Sequence, residues 1–374
     1  MVTADLILIY KYAPVGAGIS SFPIAGMTQS PKLVLVTGAT GRQGRALIHA
    51  LLNPSSLTGS APTSQSSSDS DPEFHILALT RKASSPSAKS LGSQPNVTIV
   101  EGNLDSLASI RLIFENAKSK GGIWGVFCVL AFPGLGANAD GEEVQGKALA
   151  DISMDFGVST FVFSSVERGG ERDDDKAVLD RLAKNSDFDH SILRPGFFME
   201  NYEGAIGSIT VSVLKTGLQT DTTIQLIAVD DIGQVAAGVL KDPRSFQQQI
   251  LLVVGERSTI KDQEESYKRA TGHSLPSYPS FVARGLIAMN GHTKGLIADI
   301  ERVHKIQEEG AAPDCDAQLL AAKKAYSGLR TFEMWATSRK PGKSMSSAMG
   351  SDGVSKRDKD WNKVTIGRLV SGKQ

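Results

Sequence analysis

Residues 32–37, KLVLVT, run straight into GATGRQG, residues 38–44, and then into a helical pattern over residues 45–52. No other stretch of the chain restricts its fold as tightly. A strand with an unbroken apolar run is buried on both faces, which calls for helices on either side of a parallel sheet. The three glycines of the turn have separate uses. Gly38 permits a sharp turn, Gly41 lets backbone N–H groups come close to a pyrophosphate, and Gly44 lets the helix lie close against the strand. A Gly-x-x-Gly-x-x-Gly spacing is weak alone. Between a buried strand and a helix it predicts a dinucleotide-binding first βα unit.

The alternation continues. Strand character returns at residues 75–80, 97–100, 126–131, 160–166 and 191–194, with helical patterns at 106–120, 142–156 and 177–183 between them. The expected apolar stripe of the first of these helices is Leu107, Ile110, Leu112, Ile113 and Phe114, and that of the second is Val144, Leu149 and Ile152. This order predicts an α/β, Rossmann-like, doubly wound parallel sheet with right-handed crossovers. After Pro195 the rhythm loosens. A helix is expected over 230–240, with Asp231 complementing its dipole. A strand follows at 249–254, then a helix capped by Ser258 or Thr259 that reaches Ala270, and residues 277–335 read as mostly helical.

The predicted layout is therefore a loose N-terminal extension over 1–30, with Met27 as an alternative start, and a nucleotide-binding domain over 31–195. A serine-rich surface insertion interrupts that domain at 53–73. A smaller, mostly helical substrate lobe covers 196–337, and a polar, basic tail covers 338–374.

Composition narrows the function. Forty Lys and Arg balance forty Asp and Glu, so no global positive field favours nucleic acid or a membrane surface. No helix-turn-helix or zinc module suggests direct DNA binding. Two cysteines, Cys128 and Cys315, exclude a disulfide framework and a multi-cysteine metal site, and Cys128 in an apolar run reads as an inert buried thiol. The six histidines show no metal-binding spacing, so no metal is expected. No apolar stretch approaches the roughly 20 residues of a membrane span. The start lacks the ~7–15-residue core of a signal peptide. The expected location is cytoplasmic, with the nucleus as an alternative.

The ends of the strands carry the candidate site. The second strand closes on Arg81 and Lys82, where an NAD site would present an acid to the ribose hydroxyls. Two cations there suit a 2′-phosphate, which favours NADP over NAD. The third strand ends at Asn103 and Leu104, placed to meet the adenine edge. The fourth ends at Ala131 and Phe132, where the backbone would pass the nicotinamide ribose.

The runs VTGATGRQGRALIHALL, ALTRKASSPSAKSL, VEGNLDSLASI, EEVQGKALADIS, FVFSSV and SILRPGFFMENY, in this order, resemble the NmrA-like family of atypical short-chain dehydrogenase/reductases. LIAVDDIGQVAAGVLKDP is similar to a later helix of that family, and the likeness spans about residues 32–270. It implies NAD(P) binding on a Rossmann fold. The family holds both nucleotide-sensing regulators and fungal enzymes of secondary metabolism. The expected partner is thus a small, largely apolar substrate or, alternatively, a regulated protein.

Position by position, the resemblance places dinucleotide contacts on Gly38, Ala39, Thr40, Gly41, Arg42, Gln43, Gly44, Arg81, Asn103, Leu104, Lys176, Phe198, Met199, Glu200 and Asn201. Asn103 departs from the aspartate common there, and the serine-rich insertion is a second departure. Ordinary short-chain reductases use Tyr-x-x-x-Lys. Here Lys176 keeps the lysine place, but Arg172 stands where the tyrosine would, and arginine is no general acid at neutral pH. Ser164 and Ser165 stand where the superfamily places its substrate-polarising serine. Tyr202 is a substitute proton donor on one reading and a packing ring on another. Asp173, Asp174 and Asp175 read as a solvated loop, since consecutive acids cannot all face one ion.

Overall fold

The computed structural model describes residues 30–53, 73–130, 140–167, 176–182, 187–310 and 314–339. The predicted N-terminal extension, serine-rich insertion, Asp173–Asp175 run and most of the basic tail lie outside these residues.

Strand β1 (Lys32–Val36) leads through the glycine turn into helix α1 (Arg42–Leu52). Then come β2 (Phe74–Thr80), α2 (Pro86–Gly92), β3 (Val97–Glu101), α3 (Leu107–Ala117), β4 (Gly125–Val129), α4 (Asp140–Asp155), β5 (Thr160–Ser164), α5 (Lys176–Leu182) and β6 (His190–Pro195). The second half holds β7 (Phe197–Phe198), a 3-10 turn at Met199–Tyr202, α6 (Gly204–Gly217), β8 (Thr223–Ile227), α7 (Val229–Lys241), β9 (Gln249–Val253), β10 (Glu256–Thr259) and α8 (Ile260–Thr271). Helices α9 (Ser280–Met289), α10 (Gly291–Glu308), α11 (Cys315–Ala325) and α12 (Phe332–Ser338) complete it.

Seven strands form one sheet in the order β3-β2-β1-β4-β5-β6-β9, every pair parallel. This is the doubly wound sheet that the alternation predicts. The unbroken apolar strand divides by pleat. Val34 and Val36 join the core under α1 and α7, whereas Leu33 and Leu35 join the core under α3, α4 and α5. A smaller sheet, β10-β8-β7, carries the second lobe. That lobe has its own core, in which Met199, Tyr202, Val211, Leu214, Ile224, Leu226, Phe332 and Trp335 meet.

Two expected stripes are out of phase with the packing. In α3 the buried residues are Ile110, Ile113, Phe114 and Ala117, at the i, i+3, i+4, i+7 spacing of one helix face. Leu112 falls outside that face, whereas Leu107 is in phase with it but stands at the first position of the helix, and both are exposed. In α4, Leu149 and Ile152 are buried, but Val144 lies near the exposed first turns. Side-chain caps open both α3 and α8, the second at one of the two residues expected for it. Ser106 accepts from the Ser109 N–H at the start of α3. Thr259 and Asp262 form a capping box at α8. Cys128 is fully buried, and desolvation pushes its thiol up to about 12, as an inert thiol requires.

Candidate functional site

The parallel register puts the carboxyl ends of the strands along one edge. Val36 pairs with Ala78 on one side and Phe127 on the other, Thr80 with Glu101, and Val129 with Ser164. The loops beginning at Thr37, Arg81, Gly102 and Ser165 therefore emerge together. The crossovers reverse direction between β1 and β4, which is where open α/β sheets form a ligand crevice.

The turn after β1 sits at this point and is held rigidly. The Thr37 hydroxyl donates to the Val129 carbonyl at 2.8 Å and accepts from the Val129 N–H at 2.8 Å. Gly38 has φ +55°, and a Cβ there would lie 2.9 Å from Val129 Cγ1. A Cβ on Gly44 would lie 2.5 Å from the Gly38 carbonyl oxygen and 2.7 Å from Ala39 Cα, both backbone atoms. The backbone has thus closed on itself where side chains are missing. The Gly41 N–H donates to the Gly38 carbonyl at 2.8 Å, and Gly41 is the N-cap of α1. No side chain caps this helix and no acid lies in its first turn. Its N–H groups and the positive end of its dipole remain available to an anion. Ala39 is buried, Thr40 is half-buried, and Gly38 and Gly41 are exposed at the turn. These residues fit a pyrophosphate.

Around the turn, Arg42 reaches Glu203, with Nη2 and Oε2 3.5 Å apart. The Ser164 hydroxyl donates to Gln43 Oε1 at 2.6 Å and so ties the end of β5 to the start of α1. Ser165, half-buried, donates its backbone N–H to the Leu193 carbonyl. Arg81 and Lys82 are exposed, and neither side chain has a partner among the described residues. Asn103 is exposed, and its Oδ1 accepts from the Asp105 N–H at 3.2 Å, which leaves its amide N–H groups outward-facing donors. Leu104 packs against the sheet core and, with Leu107, Val144 and Ala148, lines a groove of about 430 Å³ beside it. The exposed Leu107 and Val144 thus have a common place.

Ala131 and Phe132 lie outside the described residues. Lys176 is the first residue of α5. In the second lobe the predicted segment divides. Phe198 and Asn201 are half-buried, but Met199 is fully buried in the lobe's core. Glu200 is 5 % exposed, and its carboxylate accepts from the Val229 N–H, from Trp335 Nε1 and from Arg339 Nη2. Burial raises its pKa against the opposing pull of those donors. Met199 is therefore occupied with packing, and Glu200 with hydrogen bonds and an ion pair. Of the two readings of Tyr202, its surroundings are those of the packing ring. It is buried edge-on against Phe197 and Phe332, and its hydroxyl donates to Gln263 Oε1 at 2.5 Å. Desolvation pushes that phenol further above its usual range.

Sequence reasoning assigned Asp231 to the helix dipole and missed the belt that it holds. Asp231 lies in the first turn of α7, but its carboxylate accepts from Arg330 N at 2.8 Å and Nε at 2.9 Å. Glu256 accepts from the Phe332 N–H at 2.7 Å. Arg339 completes the belt by pairing with Glu200 and Glu203. The only sequence signal was a scatter of basic residues near the end of the helical region. Among the described residues no cluster of His, Cys, Asp and Glu could hold a metal ion, and no helix is long and apolar enough to cross a membrane.

Comparison with known proteins gives the same picture. A curated relative, the NmrA-like family domain-containing oxidoreductase ptmS of Penicillium ochrochloron, is 26% identical over 69% of this chain and 81% of its own. Among solved structures, the negative transcriptional regulator NmrA in complex with NAD superposes with a TM-score of 0.57 at 17% identity, covering 83% of this chain and 95% of that one. The Citrobacter sp. triphenylmethane reductase complexed with NADP(H) gives 0.57 at 16%, covering 81% and 98%. These structural likenesses show a shared fold. The profile of the NmrA-like family matches residues 30–336, nearly the whole of the described sheet and second lobe, and the chain belongs to that family.

Proposed function

We propose that this chain is an NADP-dependent oxidoreductase acting on a small, largely apolar substrate held between the sheet edge and the second lobe. The observation that carries the proposal is the turn after β1: a glycine cradle and an uncapped helix N-terminus with no acid in the helix's own first turn, with Arg81 and Lys82 exposed at the end of the neighbouring strand. The oxidoreductase name of the curated relative favours turnover over a purely sensing role.

The cofactor would supply the hydride, and the chain would supply position and polarity. The N–H groups opening α1, with Arg42, hold the pyrophosphate. Arg81 and Lys82 neutralise the 2′-phosphate, and Asn103 donates to the adenine edge beside Leu104. Lys176 is placed in sequence to hold the nicotinamide ribose through its ammonium. Ser164 uses its hydroxyl donor in a hydrogen bond to Gln43 Oε1, so Ser165 is the serine left to polarise a substrate. Phe198 and Asn201 bound the substrate side. Tyr202, buried and hydrogen-bonded inward, takes no part in proton transfer.

Arg81→Ala tests the cofactor choice. Loss of a charge-assisted phosphate contact costs about 1.5–3 kcal/mol. NADPH affinity should therefore fall roughly tenfold to a hundredfold, while NADH affinity should stay nearly constant. Calorimetric titration of the variant with both dinucleotides reads this directly. An equal loss for the two would remove Arg81 from the 2′-phosphate.

A further inference from the structure

Arg42 is engaged by an acid that comes from the other lobe. Glu203, at the N-cap of α6, lies 161 residues from Arg42 in sequence, yet its Oε2 is 3.5 Å from Arg42 Nη2. Its second oxygen is 3.2 Å from Arg339 Nη1. Arg339 Nη2 is in turn 3.3 Å from Glu200 Oε1. The charges alternate along this line: Arg42, Glu203, Arg339, Glu200. Its two ends differ in exposure. The Glu200 side chain is 4 % exposed and fixed by the Val229 N–H and the Trp335 indole. The Arg42 side chain is 34 % exposed and stands at the first position of α1.

Glu203 is thus shared between two cations, one anchored and one at the mouth of the anion site. We propose that Glu203 and Arg339 are positioning residues that set how far Arg42 is available to a bound dinucleotide. Glu203 competes with the dinucleotide's phosphates for Arg42, and Arg339 competes with Arg42 for Glu203. This rests on the reading that the turn after β1 takes a dinucleotide. A pyrophosphate seated on the N–H groups of α1 presents charge-assisted acceptors to Arg42, and a 3.5 Å contact to a half-exposed carboxylate is the weaker alternative. When Arg42 turns to the phosphate, Glu203 keeps Arg339 as its counter-charge, so no carboxylate is stranded beside the anion.

The arrangement gives the two partners opposite signs. Glu203→Gln removes a charged competitor and should tighten dinucleotide binding by about two- to fivefold, the range of a partly exposed ion pair. Arg339→Met leaves Glu203 wholly to Arg42 and should weaken binding by a similar factor. The double variant should bind like Glu203→Gln, because once Glu203 is neutral the cation at 339 no longer bears on Arg42. Arg339→Lys keeps the cation and should stay within about twofold of the wild type.

NADPH and NADH should shift together, because they share the pyrophosphate, and this separates Arg42 from the 2′-phosphate contact of Arg81. The shifts should shrink as salt is raised. Calorimetric titrations of the full chain with both dinucleotides read all of this. A merely structural role would weaken binding in both single variants, and that result would overturn the inference. So would wild-type affinity in both. If the wild-type chain bound neither dinucleotide, the proposed function would fail and the inference with it.

Discussion

Gly44→Ala should cost the protein its dinucleotide affinity and part of its stability. The added methyl would sit 2.5 Å from the Gly38 carbonyl oxygen and 2.7 Å from Ala39 Cα. Neither atom can swing aside as a side chain could, because Gly38 is itself wedged against Val129 and the Val129 backbone is tied to Thr37. The turn must open or α1 must move away from the sheet. Overpacking of this kind costs about 1–3 kcal/mol of stability. Binding should fall by more than about tenfold, since a displaced N-terminus no longer aims its N–H groups at one point. Gly41→Ala is the graded comparison. Its Cβ would meet only the Gly38 oxygen, at 3.0 Å, so both effects should be smaller. Thermal unfolding and NADPH titration of the two variants should rank them Gly44 above Gly41. Equal behaviour would mean that the close approach at Gly44 does not shape the site.

Arg330→Met should destabilise the fold more than any surface ion pair could. Asp231 has a side-chain exposure of 3 % and Arg330 of 18 %, and the pair is bidentate through Arg330 N and Nε. Burial pushes the Asp231 carboxyl up, and the Arg330 guanidinium is the chief opposing influence. Removal of that cation leaves a buried carboxylate with only the backbone N–H of residue 330. Breaking a buried pair from one side costs about 3–5 kcal/mol. The double variant Asp231→Asn with Arg330→Met should recover part of the loss, because the amide oxygen still accepts that N–H and carries no charge. Chemical denaturation of both variants is the check. A loss below about 1 kcal/mol for Arg330→Met would mean that the pair behaves like an exposed one.

The parts of this molecule that were legible in its sequence are those dictated by local chemistry. Gly38 and Gly44 are required where a Cβ cannot fit, and 32–36 reads as a buried strand because both of its faces are apolar. A hydroxyl at 258 or 259 announces the helix that follows, and the structure settles the cap on Thr259 with Asp262. What stayed hidden depends on pairings across long stretches of chain. Strand β7 is two residues long and carries no period of its own, so the small sheet exists only through β8. Leu107 and Val144 are apolar in a helical setting, and only the packing around the first turns of α3 and α4 shows that they stay exposed. Tyr202 is a hydroxyl after a conspicuous motif, yet its surroundings, Phe197, Phe332 and Gln263, come from three separate segments. The ion pairs from Arg330 and Arg339 have the same character. A charge in sequence does not name its partner, and Glu203 lies between the glycine turn and the C-terminal belt only once the chain has folded.

The most direct test of the central claim is to follow NADPH absorbance with the full chain at saturating cofactor, against a panel of enones, quinones and aldehydes, for the wild type and for Lys176→Met. The variant keeps much of the side-chain length and removes the ammonium donors. An NADP-dependent reductase should oxidise NADPH with at least one acceptor. The variant should still saturate with NADPH, with affinity weakened by roughly one to two kcal/mol, but should lose kcat, because the missing contact matters most in the transition state. Tight NADPH binding with no turnover across the panel would contradict the account and leave a nucleotide-binding protein without this chemistry.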